Sequence, residues 1–206
     1  MKLTAFSCGL WLALLPVAVA AAQAQKASPG LKNAVILIIR HAEKPDAGNG
    51  LSLAGKQRAE AYVNYFKNFE LDSQPLRLDY LFAAANSRES HRPRLTLEPL
   101  GQALGLRIDD RFKDKQSQEL VREVQSKPPG THILICWHHG EIPQLVRALG
   151  ADPGKLLHHA QWPAEVFGWM LQLRYDEDGR LIPTETKRIL ENLMPGDVDK
   201  PARRAP

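Results

Sequence analysis

Runs of apolar residues alternate along the chain with segments in which apolar residues recur at helical spacing. Residues 35–39 are five consecutive apolar, mostly β-branched residues, which predicts a strand buried on both faces. Residues 76–84 and 132–137 carry similar runs and predict two more buried strands. Strands of this kind are typical of a parallel sheet that helices cover on both sides.

The segments between these runs predict the helices that parallel strands need as connections. Ser52 is a good N-cap, and apolar residues at helical spacing follow it through about Asn68. Similar patterns predict helices at 92–103, 116–125 and 143–149, a short edge strand at 106–108, and a hairpin formed by 167–175 and 181–189. The order of elements predicts an α/β fold, a three-layer sandwich with a mainly parallel central sheet.

The length of 206 residues, of which 44% are hydrophobic, supports one domain, which we place at residues 34–193. Residues 1–24 have the pattern of a signal peptide: Lys2, an apolar run, and small residues that allow cleavage after Ala22 or Ala24. Because the apolar run is too short to span a bilayer, we expect no stable membrane anchor after cleavage. The sequence therefore predicts an exported protein, periplasmic or secreted.

The ends of the mature chain and its charge complete this description. Residues 25–33 are a polar leader, and the proline- and arginine-rich segment 194–206 predicts a mobile tail. After signal cleavage Cys136 is the one remaining cysteine, and its apolar surroundings predict a buried thiol. The net charge of +4 is too small to indicate a nucleic acid partner, but it is compatible with a small anionic substrate.

Polar residues gather where the three buried strands end. Arg40 and His41 follow the first strand, a cationic stretch at 88–94 follows the second, and His138 and His139 follow the third. The carboxyl ends of parallel strands lie at one edge of a sheet, where ligands bind. Guanidinium groups can clamp the oxygens of a phosphate, and an imidazole can attack phosphorus. The pattern predicts an oxyanion pocket.

In these motifs the chain resembles the histidine phosphatase superfamily, the phosphoglycerate mutase-like proteins. Arg40-His41-Ala42-Glu43 is close to the Arg-His-Gly-Glu signature of that family, and residues 51–59 match its Leu-Thr-x-x-Gly-x-x-Arg/Gln-Ala segment. Residues 92–96 fit its Arg-x-x-x-Thr element, and residues 137–140 supply its second strand-end histidine. The similarity extends from about residue 35 to residue 189.

The resemblance implies a phosphohistidine mechanism that uses neither a metal nor an organic cofactor. His41 would attack the phosphoryl group, Arg40, Arg92 and a second histidine would bind its oxygens, and water would then cleave the phosphohistidine. A small phosphorylated molecule is the expected partner. Around it we expect substrate contacts from Glu43, His138 and an aromatic wall, for which the sequence offers Trp137, Trp162 and Phe167.

Two assignments stay open in the sequence. We favour His139 as the second histidine, because Gly140 would let the backbone approach phosphate, although the spacing to Ile142 and Pro143 selects His138. We favour Glu141 as the acid that protonates the leaving group. The alternative carboxylates are Glu89, Asp109 and Asp110.

The predicted function is hydrolysis of phosphomonoesters. A phosphohistidine phosphatase is an alternative of the same chemical class. A mutase is disfavoured, because export removes the protein from phosphorylated glycolytic intermediates. One alternative is a binding protein that keeps the phosphate pocket without turnover. Another is a metal carrier that uses His132, His158 and His159, although these have no carboxylate or thiolate partners at metal-ligand spacing.

Overall fold

The computed structural model of the protein describes residues 30–157 and 159–197. The predicted signal peptide lies outside the described residues, as do most of the leader and the tail from residue 198 onward. Within the described ranges, no helix is both long and apolar enough to cross a bilayer.

Six strands form one central sheet in the spatial order β5-β4-β6-β1-β7-β8. In chain order they are β1 (Val35–Arg40), β4 (Tyr80–Ala83), β5 (Ile108–Asp109), β6 (His132–Trp137), β7 (Trp169–Arg174) and β8 (Lys187–Leu190). A separate small hairpin consists of β2 (Glu70–Leu71) and β3 (Gln74–Pro75).

Four neighbouring strands, β5, β4, β6 and β1, pair in parallel, and β7 pairs antiparallel to β1 and to β8. The register pairs Arg40, the last residue of β1, with Trp137, the last residue of β6. The polar residues that follow these two strands therefore leave the sheet at the same level. The predicted mainly parallel sheet is confirmed.

The helices connect the parallel strands and cover the sheet. They are α1 (Leu53–Lys67), α2 (Arg92–Leu104), α3 (Ser117–Gln125), α4 (Ile142–Ala148) and the single turn α5 (Pro153–Leu156). The hydroxyl oxygen of Ser52 caps α1 by accepting the amide of Gly55 at 3.1 Å, as the sequence predicts. Helix α2 ends at Gly105, whose φ of 66° is the left-handed conformation that glycine adopts freely.

Two hydrophobic cores lie on opposite faces of the sheet. In β1 the side chains of Ile36 and Ile38 enter one core, and those of Leu37 and Ile39 enter the other. The first core contains the apolar faces of α3 and α4, and the second contains those of α1 and α2. Alternation on a strand buried on both sides produces the predicted three layers.

The structure contains elements that the sequence pattern does not indicate. The β2–β3 hairpin has strands of two residues joined through Asp72 and Ser73, both at positive φ, and so short a pair leaves no apolar alternation to detect. Between β7 and β8 a 3₁₀ turn occupies Pro183–Glu185, so β8 begins later than the predicted segment. These elements lie at the margins of the sheet.

The described end of the chain, residues 194–197, is bound to the domain through Asp197. The carboxylate of Asp197 accepts the amides of Leu193 and Met194 at 2.9 and 3.1 Å and pairs with Arg58 at 2.6 Å. The part of the predicted mobile tail that the structure describes, 194–197, is therefore held by hydrogen bonds.

Candidate active site

His41 and His138 lie against each other at the carboxyl edge of the sheet. Their ring centroids are 5.1 Å apart and the rings meet edge to face, with an interplanar angle of 68°. The amide of His41 donates to the carbonyl of Trp137 at 3.1 Å, which continues the β1–β6 ladder one residue beyond the strand. The parallel register is thus the reason that two histidines distant in sequence meet.

The surroundings of His41 fix which ring nitrogen is free to react. Its Nδ1 lies 2.8 Å from the carbonyl oxygen of Ala42. Since a carbonyl can only accept, Nδ1 carries the proton and Nε2 keeps its lone pair. The amide of Ala42 donates to Oγ1 of Thr96 at 2.9 Å, and that hydroxyl donates to the carbonyl of Arg92 at 2.8 Å. The loop after β1 is therefore tied to the first turn of α2.

The imidazole of His41 is neutral at physiological pH. Burial lowers its pKa to about 3, the positive charges of Arg40 and Arg92 and the neighbouring His138 act in the same direction, and the hydrogen bond to Ala42 opposes them. Only 3% of His41 is exposed to solvent. A neutral imidazole with a free Nε2 is the form that can act as a nucleophile.

Arg40 connects the strand end to the loop before β7. Its Nη1 donates to the carbonyls of Pro163, Ala164 and Val166 at 3.3, 2.6 and 2.8 Å. The guanidinium carbon lies 3.7 Å from the centroid of the Phe167 ring, a cation–π contact. Burial lowers the pKa of Arg40 to about 10, so the group is still cationic at pH 7.

Arg92, the first residue of α2, supplies the second guanidinium. Its Nη1 donates to the carbonyl of Gly48 at 3.4 Å, and its charge lowers the pKa values of His41, His138 and Arg40. Among the described residues, the Nε atoms of both Arg40 and Arg92 are buried without a hydrogen-bond partner. Buried donors without partners are costly in a folded protein, so these two atoms mark a place where the protein does not complete its own hydrogen bonds.

His138 and His139 occupy different environments. Burial lowers the pKa of His138, and Asp114, Arg92 and Arg40 act on it electrostatically. Burial also lowers the pKa of His139, to about 4, and its charged neighbours include Arg40, Lys44 and Glu165 rather than Arg92. The structure therefore brings His138, more than the favoured His139, into the cluster with His41 and Arg92.

The protein's own packing does not explain the glycine that follows His139, so its approach to a bound phosphate stays a prediction. A Cβ added to Gly140 would meet no atom within 4 Å, and the φ of this residue is outside the left-handed range. Nothing in the described protein thus requires glycine at this position.

Glu43 forms an ion pair with Arg58 on α1. Both of its oxygens accept from Arg58, with distances of 2.8 to 3.2 Å, and Arg58 itself is 2% exposed. The structure gives Glu43 a partner within the protein, and its charge also raises the pKa of Arg40. Its contact with substrate stays a prediction. The sequence motifs assign Arg58 no role of its own. The pattern that could have drawn attention to it is a cation on the apolar face of α1, four residues before the buried Tyr62.

The predicted aromatic wall divides into core and site residues. Trp137 has no exposed surface and donates its indole NH to the carbonyl of Asp114 at 2.9 Å. Trp162 is also buried and donates to the carbonyl of Val166 at 2.8 Å. The half-buried Phe167, with its ring centroid 6.4 Å from that of His41, is the aromatic residue next to the histidines.

The structure adds two carboxylates, Asp114 and Glu165, to those that the sequence analysis weighed. Glu141 starts α4 half-buried, with its amide donating to the carbonyl of His138 at 2.9 Å, and its side chain does not cap the helix. Asp109 pairs with Arg111 at 2.6 Å and Asp110 with Arg94 at 2.9 Å, while Glu89 is exposed. Asp114 raises the pKa of His138, and the exposed Glu165 raises that of His139.

The histidines considered as metal ligands do not form a site in the described chain. His132 starts β6, where its Nδ1 lies 2.9 Å from the carbonyl of Arg77, and His158 lies outside the described residues. Across residues 30–157 and 159–197, no three His, Cys, Asp or Glu side chains are grouped so that they could hold a metal ion.

Comparisons with known proteins reveal a shared fold. No family model and no curated protein matches the sequence. Among solved structures, the chain is similar to the phosphoglycerate mutase of Plasmodium falciparum, with 14% identity, coverage of 82% of this chain and 98% of that one, and a TM-score of 0.53. The chain is also similar to SixA of Agrobacterium tumefaciens, a candidate phosphohistidine phosphatase. The identity is 19%, the match covers 73% of this chain and 96% of that one, and the TM-score is 0.50.

A third similar structure is a mutant of the phosphoserine phosphatase of Entamoeba histolytica in complex with phosphoserine. The identity is 11%, the match covers 74% of this chain and 96% of that one, and the TM-score is 0.50. The chain spans nearly the full length of all three proteins. The fold is therefore the phosphoglycerate mutase-like α/β fold that the motifs indicate.

Proposed function

We propose that the protein is a phosphatase that hydrolyses small phosphomonoesters through a phosphohistidine on Nε2 of His41. One observation carries the proposal: a neutral His41, with Nδ1 held by Ala42, lies in one cluster with His138 and two arginines whose Nε atoms lack partners. By analogy of fold, the likeness to a phosphoserine phosphatase and to SixA supports hydrolysis of a phosphate group, while the role of His41 is argued from the site itself.

The first step transfers the phosphoryl group to the protein. The lone pair on Nε2 attacks phosphorus, the bond from phosphorus to the ester oxygen breaks, and the leaving group takes the electron pair and a proton from a carboxylic acid of the site. Arg40 and Arg92 stabilise the negative charge on the transferred oxygens, with His138 donating beside them. The two arginines thus supply the positive charge that stabilises the transition state.

The second step restores the enzyme. Water attacks phosphorus and gives a proton to the carboxylate that acted as the acid in the first step. The bond between phosphorus and Nε2 breaks, and inorganic phosphate leaves while His41 returns to its neutral form. The hydrogen bond from Nδ1 to Ala42 holds the ring in one orientation through both steps. It also stabilises positive charge on the ring while the phosphorus–nitrogen bond exists.

We assign the role of second histidine to His138 on its contact with His41. The leaving-group acid stays the prediction made from the sequence, Glu141, with Asp114 and Glu165 as candidates that the structure adds. The three are distinguished by single substitutions to the amide, assayed on an alkyl and an aryl phosphate. Loss of the acid slows hydrolysis of the alkyl ester most, because an alkoxide is the poorer leaving group.

The enzyme assay uses para-nitrophenyl phosphate with the wild-type protein, His41→Ala and the control variant His132→Ala. His132 lies at the opposite end of β6 and carries the same substitution away from the cluster. We expect release of nitrophenol by the wild type and by His132→Ala, and its loss in His41→Ala. A protein that only binds phosphate would release nothing in any variant, yet phosphate would raise its melting temperature.

We further propose that the protein acts outside the cytoplasm, in the periplasm or as a secreted enzyme. The signal-like pattern in residues 1–24 supports this location. The amino-terminal sequence of the protein recovered from a periplasmic or culture fraction tests it. Cleavage after Ala22 or Ala24 is the expected result, and an intact chain recovered from the cytoplasm would contradict it.

A further inference from the structure

A buried cluster of charges beneath the candidate active site joins the end of the described chain to the loop that carries His41. Arg58 lies at its centre, with Nη2 donating to Oε1 of Glu43 at 2.8 Å and to Oδ1 of Asp197 at 2.6 Å. Its Nη1 donates to the other oxygen of Asp197 at 3.1 Å. One guanidinium therefore holds two carboxylates from distant parts of the sequence.

Both acidic partners are needed to balance Arg58. Burial alone would lower its pKa, but the hydrogen bonds to Asp197 and Glu43 raise it instead. Glu191 lies 3.6 Å from Arg58 and is fully buried, and burial raises its pKa well above the usual value. Glu43 and Asp197 are the carboxylates within hydrogen-bond distance of the guanidinium, so they hold Arg58 in place more closely than Glu191 does.

Asp197 also packs tightly against Gly168, the residue that follows Phe167. A Cβ added to Gly168 would lie 2.3 to 2.6 Å from the carboxylate atoms of Asp197, so the contact exists only because residue 168 is glycine. The preceding residue, Phe167, contacts the guanidinium of Arg40 and the ring of His41. Asp197 thus contacts Arg58, the partner of Glu43, on one side and Gly168, the residue after Phe167, on the other.

We infer that Asp197 is a positioning residue of the proposed phosphatase. It holds Arg58, which holds Glu43, and so fixes the loop in which His41 is two residues before Glu43. The inference rests on the proposed function for its catalytic effect, but the structural link from Asp197 to the histidine loop can be measured without turnover.

The test compares Asp197→Asn and Gly168→Ala with the control variant Tyr175→Phe. The amide keeps the shape of Asp197 without its charge, and the added methyl displaces the carboxylate from the other side. Tyr175 is buried and donates its hydroxyl to the carbonyl of Leu149 at 2.8 Å, so its loss lowers stability without touching the charged cluster. Each variant is assayed for kcat, KM and melting temperature.

We expect both test variants to lose about 10-fold or more in kcat with little change in KM, because misplacement of a nucleophile slows the reaction more than it weakens binding. Tyr175→Phe should melt at a lower temperature and keep the kcat of the wild type. If Asp197→Asn and Gly168→Ala also melt lower but keep the wild-type kcat, the role of Asp197 is stability alone and the inference is wrong.

A second measurement separates this inference from the proposed function. The ring resonances of His41, assigned in ¹⁵N-labelled protein by comparison with His41→Ala, report the environment of the imidazole whether or not the protein turns over substrate. We expect Asp197→Asn to shift them and Tyr175→Phe to leave them in place. Unchanged resonances in Asp197→Asn would overturn the inference. If the wild type lacks phosphatase activity but the resonances shift, the proposed function fails while the link from Asp197 to His41 holds.

Discussion

His41 and His138 follow adjacent parallel strands, and their imidazole rings meet at 5.1 Å. We propose that His138 donates to an oxygen of a phosphoryl group on His41, on the ground that the two rings are in contact. We expect His138→Ala to lower kcat by about 10²- to 10³-fold, the cost of losing one donor to a developing negative charge. The assay is the hydrolysis of para-nitrophenyl phosphate.

His139→Ala is the matched control for this prediction, since it removes the neighbouring imidazole. Its kcat should stay within about 10-fold of the wild type, because a donor outside the group that binds the transferred oxygens contributes less. A larger loss of kcat in His139→Ala than in His138→Ala would show that His139, the residue that the sequence favours, is the second catalytic histidine.

The guanidinium of Arg40 offers several donors in a fixed plane, an arrangement that lysine cannot reproduce. Its Nη1 holds the carbonyls of the loop before β7, and its Nε is buried without a partner in the described protein. Arg40→Lys keeps the charge but loses the planar fork, so we expect kcat/KM to fall by about 10- to 100-fold, the equivalent of one charged hydrogen bond.

The control for Arg40 is Arg94→Lys. Arg94 pairs with Asp110 at 2.9 Å at a partly exposed position, and exposed ion pairs contribute little to stability. We expect wild-type kinetics from this variant. Equal activity in Arg40→Lys and the wild type would show that the guanidinium of Arg40 serves the loop and not the substrate.

The low pKa of His41 predicts how stability depends on pH. Between pH 6.5 and about 3 the unfolded chain protonates this histidine and the folded chain does not, so protons favour unfolding as the pH falls. From the two pKa values, His41 should contribute about 2 kcal/mol to the loss of stability between pH 7 and pH 5. Above pH 7 its contribution should be constant.

Urea denaturation of the wild type and of His41→Asn at both pH values measures this contribution. The asparagine variant cannot titrate in this range, so its loss of stability on acidification should be smaller by about 2 kcal/mol. Equal losses in the two proteins would mean that the pKa of His41 in the folded state is close to its value in the unfolded chain.

Gly55 permits the close approach of α1 to the loop after β1. A Cβ on this residue would lie 2.3 Å from the carbonyl oxygen of Glu43, a contact with rigid backbone. We expect Gly55→Ala to destabilise the protein by about 1 to 3 kcal/mol and to lower kcat, because the loop that carries His41 must shift.

Gly140→Ala is the comparison for Gly55→Ala. Nothing lies within 4 Å of a Cβ on Gly140, so this substitution should leave the urea midpoint unchanged. A loss of activity in Gly140→Ala without a loss of stability would indicate that the bound phosphate approaches this glycine closely.

The sequence predicts the frame of this molecule because its signals are local. The five consecutive apolar residues before Arg40 indicate a buried strand by themselves. Ser52 begins α1 because its own hydroxyl caps the helix. Once parallel strands are expected, the meeting of His41, Arg92 and the histidine pair at one edge follows from topology. The motif resemblance adds to this expectation the role of each residue.

The remaining features depend on contacts that no local pattern encodes. The choice between His138 and His139 depends on how the chain turns after β6, where both residues are polar and adjacent. The ion pair of Glu43 with Arg58 and the arrival of Asp197 beside it depend on long-range packing. The same holds for Phe167, which contacts Arg40 because the loop before β7 folds over the strand end.

Direct detection of the phosphorylated residue tests the central claim. The protein is mixed with para-nitrophenyl phosphate, quenched in alkali within the first turnover, digested and analysed by mass spectrometry, since phosphohistidine survives base. The proposed mechanism predicts an alkali-stable, acid-labile phosphoryl group on His41 that is absent from His41→Ala. Turnover by the wild type with the phosphoryl group on another residue, or with none on the protein, would contradict it.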